Sequence, residues 1–331
     1  FAFTTKATIM KNIFVSDLKS GEAINDMFVL AEKQMSQKKD GGNYMTVVLS
    51  DKSGTVKGVI WDNVDQFAEN PTAGDVVKIQ GTVSEYRGML QVVVKAMTRL
   101  SPEDADFTDF LPATHRDPES MMTKLQNISE SIENQHLKAL LAAFWSDAGF
   151  VRNFKIAPAA KKMHHAYLGG LLEHTLSLTL LADRIADHYS GINRDLLLTG
   201  AILHDIGKIK EFVFDRRIDY SDEGRLVSHI VIGVEMVQEK IAGIRGFPQK
   251  TAMLLKHLLI SHHGNREYGS PEPPKTLEAV MLNYLDEIDS KITGIREFME
   301  KQAAEEDWTS FHRPLDRFFY KGSISSDSDE P

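Results

Sequence analysis

Histidine and aspartate residues recur at helical spacing from apolar residues in the second half of this chain, which limits how it can fold. His174 is followed at intervals of four, three and four residues by leucine, leucine and isoleucine, the spacing of one helical face. The same spacing joins His204 to Leu197 and Ala201, His262 to Leu255 and Leu259, and Asp286 to Leu282. Each polar residue therefore lies on the apolar stripe of a different predicted helix. We expect these stripes to pack together in one helical core.

A single histidine on an apolar helical face is ordinarily a structural core residue. A buried carboxylate such as Asp286 is different, because it needs a cation, hydrogen bonds or a raised pKa. Several such groups that converge in one core are explained together by bound metal. The adjacent His204 and Asp205 offer one nitrogen and one oxygen donor, a combination that suits Mn, Fe, Co, Ni or Zn.

The order of these residues along the chain resembles the HD-domain phosphohydrolase superfamily over about residues 160–295. The matching positions are His174, His204–Asp205 followed by Gly207–Lys208, then His229, His262–His263 and Asp286. The resemblance implies two divalent cations bridged by Asp205, one held by His174, His204 and Asp286, the other by His229, His262 and His263. Mn²⁺ is the expected metal, with Fe, Co, Ni and Zn as alternatives. Asp289, three residues after Asp286, stays open as the ligand instead.

Three further residues are candidates for catalysis. Lys208 follows His204 by four residues, so both can face one cleft and the lysine can hold a phosphate oxygen. The alternative is a helix-end lysine that interacts with the helix dipole. In the segment KMHHAYLGG, His164 or His165 could contact the scissile phosphate or protonate the leaving group, and a structural role is equally open.

Two cations about 3.5–4 Å apart would bind phosphate oxygens and lower the pKa of a bridging water.

The remaining histidines are predicted to be structural. They are His115, His136, His188, His257 and His312, and none of them fits the motif.

Residues 11–100 show short β-branched runs separated by turn signals, a pattern typical of a small β-barrel. The segments YMTVVLSDKSGTVKGVIWDN and GDVVKIQGTVSEYRGMLQVVV resemble OB-fold nucleic-acid-binding domains of the tRNA-anticodon type. Such a barrel binds single-stranded bases by stacking them on aromatic side chains. The candidates are Tyr44, Trp61, Tyr86 and Phe67, with Arg87 beside them and Lys95 and Arg99 on a face. A core position is the alternative for each aromatic residue.

The predicted fold is multidomain: an N-terminal small β-barrel (OB-fold) is followed by an all-α HD-domain helical bundle. The predicted divisions are residues 1–10, a non-native or disordered extension; 11–100, the OB-fold; 101–125, a linker rich in proline and acidic residues; 126–318, the HD domain; and 319–331, a disordered tail.

Composition excludes several classes of protein. The chain has no cysteine, which excludes disulfides and thiolate zinc sites and favours a cytoplasmic location. No apolar run reaches the ~18–20 residues of a membrane span, so no membrane association is expected. The net charge of −9 argues against nucleic-acid binding by bulk electrostatics. Residues 11–100 carry eleven basic and eleven acidic residues. This balance of charge is little evidence that the barrel binds nucleic acid.

The order of the two domains resembles the YhaM family of bacterial 3′→5′ exoribonucleases, over nearly all of residues 11–315. The segments HHAYLGGLLEHTLSL, LLLTGAILHDIGK and LLISHHG carry this resemblance. It implies stepwise release of nucleoside 5′-monophosphates from the 3′ end of single-stranded RNA, with single-stranded DNA as an open second substrate and a homo-oligomer as an open assembly state. The alternatives are a phosphohydrolase of small nucleotides and a non-catalytic nucleic-acid-binding regulator. The complete ligand set argues against the second alternative.

Overall fold

The computed structural model describes the chain in segments: residues 10–38, 41–67, 69–101, 109–161, 165–214, 218–300, 302 and 306–322. The chain divides into two compact units. The first unit runs to His115 and includes two later segments, Tyr167–Gly169 and Phe212–Ser221. The second unit contains Arg116–Ala166, Gly170–Glu211 and the chain from Asp222 onward.

The first unit contains a closed five-stranded barrel in the order β1-β2-β3-β5-β4. Its strands are β1 (Ala23–Gln37), β2 (Asn43–Asp51), β3 (Gly54–Ile60), β4 (Val76–Tyr86) and β5 (Met89–Arg99). The long strand β1 pairs with β4 through its first half and with β2 through its second half, and the register shifts between Leu30 and Glu32. The parallel pairing of β3 with β5 closes the barrel.

Alternation along the barrel strands fills its interior with apolar side chains. In β2, Met45, Val47 and Leu49 point inward and are buried, whereas the residues between them are partly exposed. Two further strands of this unit, β6 (Phe212–Val213) and β7 (Asp219–Tyr220), pair in the antiparallel direction.

The second unit is helical. Its helices are α1 (Pro118–Glu130), α2 (Gln135–Trp145), α3 (Ala148–Ile156), α4 (Gly170–Ala186), α5 (Arg194–Leu203), α6 (Lys208–Glu211), α7 (Asp222–Ala242), α8 (Gln249–Ser261) and α9 (Leu277–Glu300). The predicted order of a β-barrel followed by a helical bundle is confirmed. None of the helices in the described segments is both long and apolar enough to cross a membrane.

Helix-capping residues in the sequence explain where several helices begin. Asp117 accepts hydrogen bonds from the backbone of the first turn of α1, and Pro118 occupies the first helical position. Asn134, Asp147 and Asn193 cap α2, α3 and α5 in the same way. Because α1 begins at Pro118, its first two turns lie in the segment that we predicted to be a linker.

The end of the described chain also differs from the sequence-based expectation. Residues 306–322 are not helical except for one 3₁₀ turn, and Trp308 pairs with Tyr320 in an antiparallel bridge. This segment therefore does not continue the α-helices, although it lies within residues 126–318, the predicted range of the helical bundle. The predicted domain boundaries stay predictions.

Candidate metal centre

Five helical segments bring seven histidine and aspartate side chains into two neighbouring groups. The first group is Asp205, His229, His262 and His263, and the second is His174, His204 and Asp286. Within each group, one ligand atom per residue lies within 4.8 Å of the others. These are the seven residues that the sequence predicted as ligands, and the structure brings all of them together. Their role as ligands stays a prediction.

Asp205 belongs to the first group and turns one carboxylate oxygen toward the histidines of that group and the other toward the second group. Its Oδ2 lies 3.2 Å from Nε2 of His204 and 3.8 Å from Nε2 of His174. Its Oδ1 lies 3.5 Å from Nε2 of His229 and 3.6 Å from Nε2 of His262. A carboxylate with this orientation can bridge two cations.

Four of the histidine rings have Nδ1 in contact with an oxygen acceptor, which leaves Nε2 directed at the centre. The acceptors are the carbonyl of Ala201 for His204 (2.9 Å), the carbonyl of Leu259 for His262 (2.6 Å), the carboxylate of Glu211 for His229 (2.8 Å) and that of Asp289 for His174 (2.8 Å). A proton on Nδ1 fixes the tautomer in which Nε2 carries the lone pair that a metal needs.

Three buried atoms at the centre have no hydrogen-bond partner among the described residues: Oδ1 of Asp205, Nε2 of His229 and Nε2 of His262. Leaving a buried acceptor without a partner costs about 1–3 kcal/mol, and more for a charged group. All three atoms belong to one group of candidate ligands and are lone-pair donors. The donor set therefore fits a divalent cation that prefers nitrogen and oxygen ligands.

A lysine at the start of α6 contributes positive charge to the centre. Nζ of Lys208 lies 2.6 Å from Oδ2 of Asp205. Burial alone raises the pKa of Asp205, but the positive charge of Lys208 and the contact with His204 outweigh it and hold that pKa well below its usual range. Burial lowers the pKa of Lys208, but Asp205 outweighs this effect and raises it. Both groups are therefore charged at neutral pH.

The charge distribution of the centre favours a cation. Burial lowers the pKa of His174, but its hydrogen bonds to Asp286 and Asp289 outweigh this and raise the pKa to about 9. His262 differs, because burial together with the neighbouring His263 and His204 lowers its pKa well below the usual value. The carboxylates around His174 thus favour positive charge at Nε2, which a cation can supply in place of the proton, while His262 stays neutral and able to coordinate.

The two candidate aspartates of α9 contact opposite sides of one imidazole. Oδ1 of Asp286 lies 3.2 Å from Nε2 of His174, the nitrogen that faces the centre. Oδ2 of Asp289 lies 2.8 Å from Nδ1 of the same ring. This geometry supports Asp286 as the ligand and gives Asp289 a different contact.

Only one of the two histidines that precede α4, His164 and His165, lies among the described residues. His164 lies outside the described residues. His165 is buried beside the centre, with Nε2 3.5 Å from Oδ2 of Asp289 and its ring centroid 5.6 Å from that of His174. His165, His174 and Asp289 form a third cluster of donors. If this cluster and the second group each held a cation, His174 would have to coordinate through both nitrogens.

Sequence reasoning missed Glu211, the buried carboxylate that holds His229. Oε1 of Glu211 accepts hydrogen bonds from both the backbone N–H (3.0 Å) and Nδ1 (2.8 Å) of His229. Its spacing of three residues from Lys208 in a helical pattern is a signal that could have drawn attention to it. His257, predicted to be structural, belongs to none of the clusters of candidate ligands and accepts a hydrogen bond from the backbone of Lys275.

The barrel places its predicted nucleic-acid contacts in different environments. Tyr44 and Trp61 stack with ring centroids 5.3 Å apart, Trp61 is 45% exposed, and Nζ of Lys38 lies 5.6 Å from the Trp61 centroid. We call Lys38, Tyr44 and Trp61 the aromatic platform. Tyr86 is 56% exposed at the β4–β5 turn, and the guanidinium of Arg87 lies 5.3 Å from its ring centroid.

Phe67 belongs to the barrel core. It is only 8% exposed and packs in the main apolar cluster, so it occupies the core position that the sequence analysis gave as the alternative to stacking. The sequence could not show that Phe67 is buried while the other candidate aromatic residues are at least partly exposed, because all of them occur near turn signals.

Two family models match the chain. The model described as HD domain matches residues 171–291, and the model described as OB-fold nucleic acid binding domain matches residues 29–100. The first match covers the histidine and aspartate series, and the second covers most of the barrel.

Several curated proteins are similar over nearly the whole chain, and each is named 3′-5′ exoribonuclease YhaM. The protein from Geobacillus sp. (strain WCH70) is 31% identical over 92% of this chain and 94% of its own length. The protein from Bacillus pumilus (strain SAFR-032) is 30% identical over 94% of this chain and 98% of its own. The protein from Listeria monocytogenes serotype 4b (strain F2365) is 32% identical over 83% of this chain and 88% of its own.

Proposed function

The chain belongs to the YhaM family of 3′-5′ exoribonucleases, and from this premise we propose that it shortens single-stranded RNA from the 3′ end by a two-metal hydrolysis. It is a hydrolase that acts on phosphodiester bonds. The observation that carries the two-metal proposal is the orientation of Asp205, whose two oxygens face different histidine groups. Three buried atoms that lack a hydrogen-bond partner among the described residues support a cation in the first group.

Two divalent cations, Mn²⁺ first, would be held by the residues of the two groups. His174, His204 and Asp286 would hold one, His229, His262 and His263 the other, and Asp205 would be shared. Cations bound in this way polarise phosphate oxygens and lower the pKa of water toward neutrality.

The side chains of the centre would bind and orient the scissile phosphate. Lys208 would donate hydrogen bonds to a phosphate oxygen, and its ammonium group stays charged because Asp205 raises its pKa. A water molecule would give up a proton to solvent as its oxygen forms the new bond to phosphorus, while the bond between phosphorus and the 3′ oxygen breaks. The released product would be a nucleoside 5′-monophosphate, and the 3′ oxygen of the shortened chain would take up a proton. His164 and His165 are the candidate proton donors.

The aromatic platform supports a single-stranded polymer rather than a mononucleotide as substrate. Stacking of one base on an aromatic side chain is worth about 1–3 kcal/mol and does not depend on base identity. Tyr44 and Trp61 offer a stacked, partly exposed pair of rings for this purpose, and Lys38 adds a positive charge beside them.

The test is a time course with 5′-end-labelled single-stranded RNA and Mn²⁺, separated on a sequencing gel beside an EDTA control. We expect a ladder that shortens from the 3′ end and is lost with EDTA. A single-stranded DNA of the same sequence, run in parallel, tests the second proposed substrate. If the RNA stays intact with every metal, the proposal is wrong, and mononucleotides and cyclic nucleotides become the substrates to screen.

A further inference from the structure

Two histidines of the candidate metal centre, one in each group, are held by buried carboxylates that do not themselves face the centre. Glu211 contacts His229 of the first group, and Asp289 contacts His174 of the second. The remaining ring contacts differ in kind, because His204 and His262 use backbone carbonyls three residues earlier in the chain. Among these four histidines, each group therefore has one that is oriented by a charged partner and one that is oriented by a neutral partner.

Glu211 fixes both the backbone and the ring of His229. One oxygen, Oε1, lies 3.0 Å from the backbone nitrogen and 2.8 Å from Nδ1 of this histidine. The preceding residue, Ser228, has φ 73° and ψ 147°, a region that is essentially restricted to glycine and costs about 1–3 kcal/mol. The double hydrogen bond to Glu211 helps to hold this kink in α7, which aims the ring of His229 at Asp205.

Close backbone packing keeps Glu211 in place. A Cβ atom on Gly224 would lie 2.2 Å from the carbonyl oxygen of Glu211, so α7 approaches α6 more closely than any side chain would allow. A Cβ atom on Gly207 would lie 2.0 Å from the carbonyl oxygen of His229. The two glycines fix the distance between the residues that make the double hydrogen bond.

Asp289 is fixed in a comparable way. Its Oδ2 accepts a hydrogen bond from Nδ1 of His174 at 2.8 Å, and its Oδ1 accepts one from the hydroxyl of Ser177. The carboxylate is buried on α9, one helical turn from Asp286. It therefore holds the ring of His174 from the side opposite to Asp286.

A carboxylate that accepts the second ring proton of a metal-binding histidine fixes the ring orientation and raises the basicity of the coordinating nitrogen. We propose that Glu211 and Asp289 are positioning residues that set the metal affinities of the two groups separately, Glu211 through His229 and Asp289 through His174. This inference rests on the proposed two-metal function. It assigns Asp289 a role other than that of an alternative ligand.

The test is a titration of the metal-free full-length protein with Mn²⁺, in which free Mn²⁺ is measured by electron paramagnetic resonance. The wild type is expected to bind two Mn²⁺ per chain. Glu211→Gln and Asp289→Asn should each lower the affinity for one Mn²⁺ by about 10–100-fold and leave the other unchanged. Glu211→Ala should weaken binding more than Glu211→Gln, because the amide oxygen can still accept the ring proton.

Double variants show which Mn²⁺ each carboxylate controls. When His229→Ala has removed one site, Glu211→Gln should have no further effect on the remaining Mn²⁺, whereas Asp289→Asn should still weaken it. In the His174→Ala background, Asp289→Asn should have no further effect on the remaining Mn²⁺, whereas Glu211→Gln should still weaken its binding. If either carboxylate variant weakens the remaining site equally in both backgrounds, or if neither changes any affinity, the inference is wrong.

Glu278→Gln is the matched control. Glu278 is a buried carboxylate on α9 that accepts a hydrogen bond from the backbone of Asn193, away from the seven ligand residues. We expect its substitution to leave both Mn²⁺ affinities unchanged, and circular dichroism to show that all variants are folded.

The RNA-shortening assay on the wild type separates this inference from the proposed function. If Glu211→Gln and Asp289→Asn each weaken a different Mn²⁺ site but the wild type does not cut RNA, the inference is supported and the proposed function is contradicted. RNA cutting by a wild type whose two affinities do not respond separately to the carboxylates would contradict the inference alone.

Discussion

Asp205 is the residue on which both halves of the centre depend. Its oxygens face the two histidine groups, and Oδ2 also contacts Nζ of Lys208 at 2.6 Å. Asp205→Asn keeps the shape of the side chain but removes its charge, so neither group retains an anionic bridge. We expect RNA cleavage to fall to the level of the EDTA-treated wild type, as measured by release of labelled mononucleotide. Unchanged cleavage in this variant would contradict the metal mechanism.

A substitution of Lys208 removes a positive charge from the centre and leaves all seven candidate ligands in place. Lys208→Met keeps the apolar stem and removes the ammonium group, so we expect kcat to fall about 10²–10³-fold with a smaller change in KM. The number of Mn²⁺ ions bound should not change. Lys210→Met is the matched control, because Lys210 is an exposed lysine on the same short helix. An equal loss in the control would show that net charge, and not the position of Lys208, is responsible.

The sequence predicted the ligands because each lies on a regular helical stripe. Leu178, Leu197, Leu259 and Leu282 are fully buried, as expected of residues that share helical faces with the polar side chains. The partners of the ligands were harder to predict. The contact between Glu211 and His229 depends on the kink at Ser228, and no residue pattern in the sequence indicates a positive φ at a serine.

At the scale of elements, the packing of α6 against α7 controls the position of His229. Gly207→Ala would place a Cβ atom 2.0 Å from the carbonyl oxygen of His229 and 2.8 Å from the nitrogen of Gly233. Because both are backbone atoms of α7, one helix must shift. We expect the free energy of unfolding to decrease by about 1–3 kcal/mol and Mn²⁺ affinity to fall, as measured by urea denaturation and metal titration.

Gly149→Ala is the control for this substitution. Gly149 lies in α3, and the nearest atom to an added Cβ is 3.4 Å away, at Oδ1 of Asp147. Alanine there should leave Mn²⁺ affinity unchanged and stabilise the protein by at most about 1 kcal/mol, because alanine is the better helix former. Destabilisation by both variants to the same extent would contradict the packing argument.

At the scale of the whole molecule, composition predicted little about the substrate. Its net charge of −9 and the balanced charge of residues 11–100 give no sign of a nucleic-acid surface. The strand pattern predicted the barrel, since alternation and turn signals are local. It could not predict which aromatic residues are exposed, because that depends on how strands that are distant in sequence pair. Phe67 lies in a 3₁₀ turn between β3 and β4 and is buried, whereas Trp61 directly follows β3 and is exposed.

The aromatic platform should matter only for substrates long enough to reach it. Replacing both Tyr44 and Trp61 by alanine removes a stacked pair of rings. Since each stacked base contributes about 1–3 kcal/mol, we expect KM for a long single-stranded RNA to rise at least about fivefold, while kcat/KM for a dinucleotide stays unchanged. Tyr189→Ala is the control, because Tyr189 is an exposed tyrosine of the helical unit. Equal losses on both substrates would mean that these rings stabilise the barrel, and unchanged kinetics would mean that RNA is bound elsewhere.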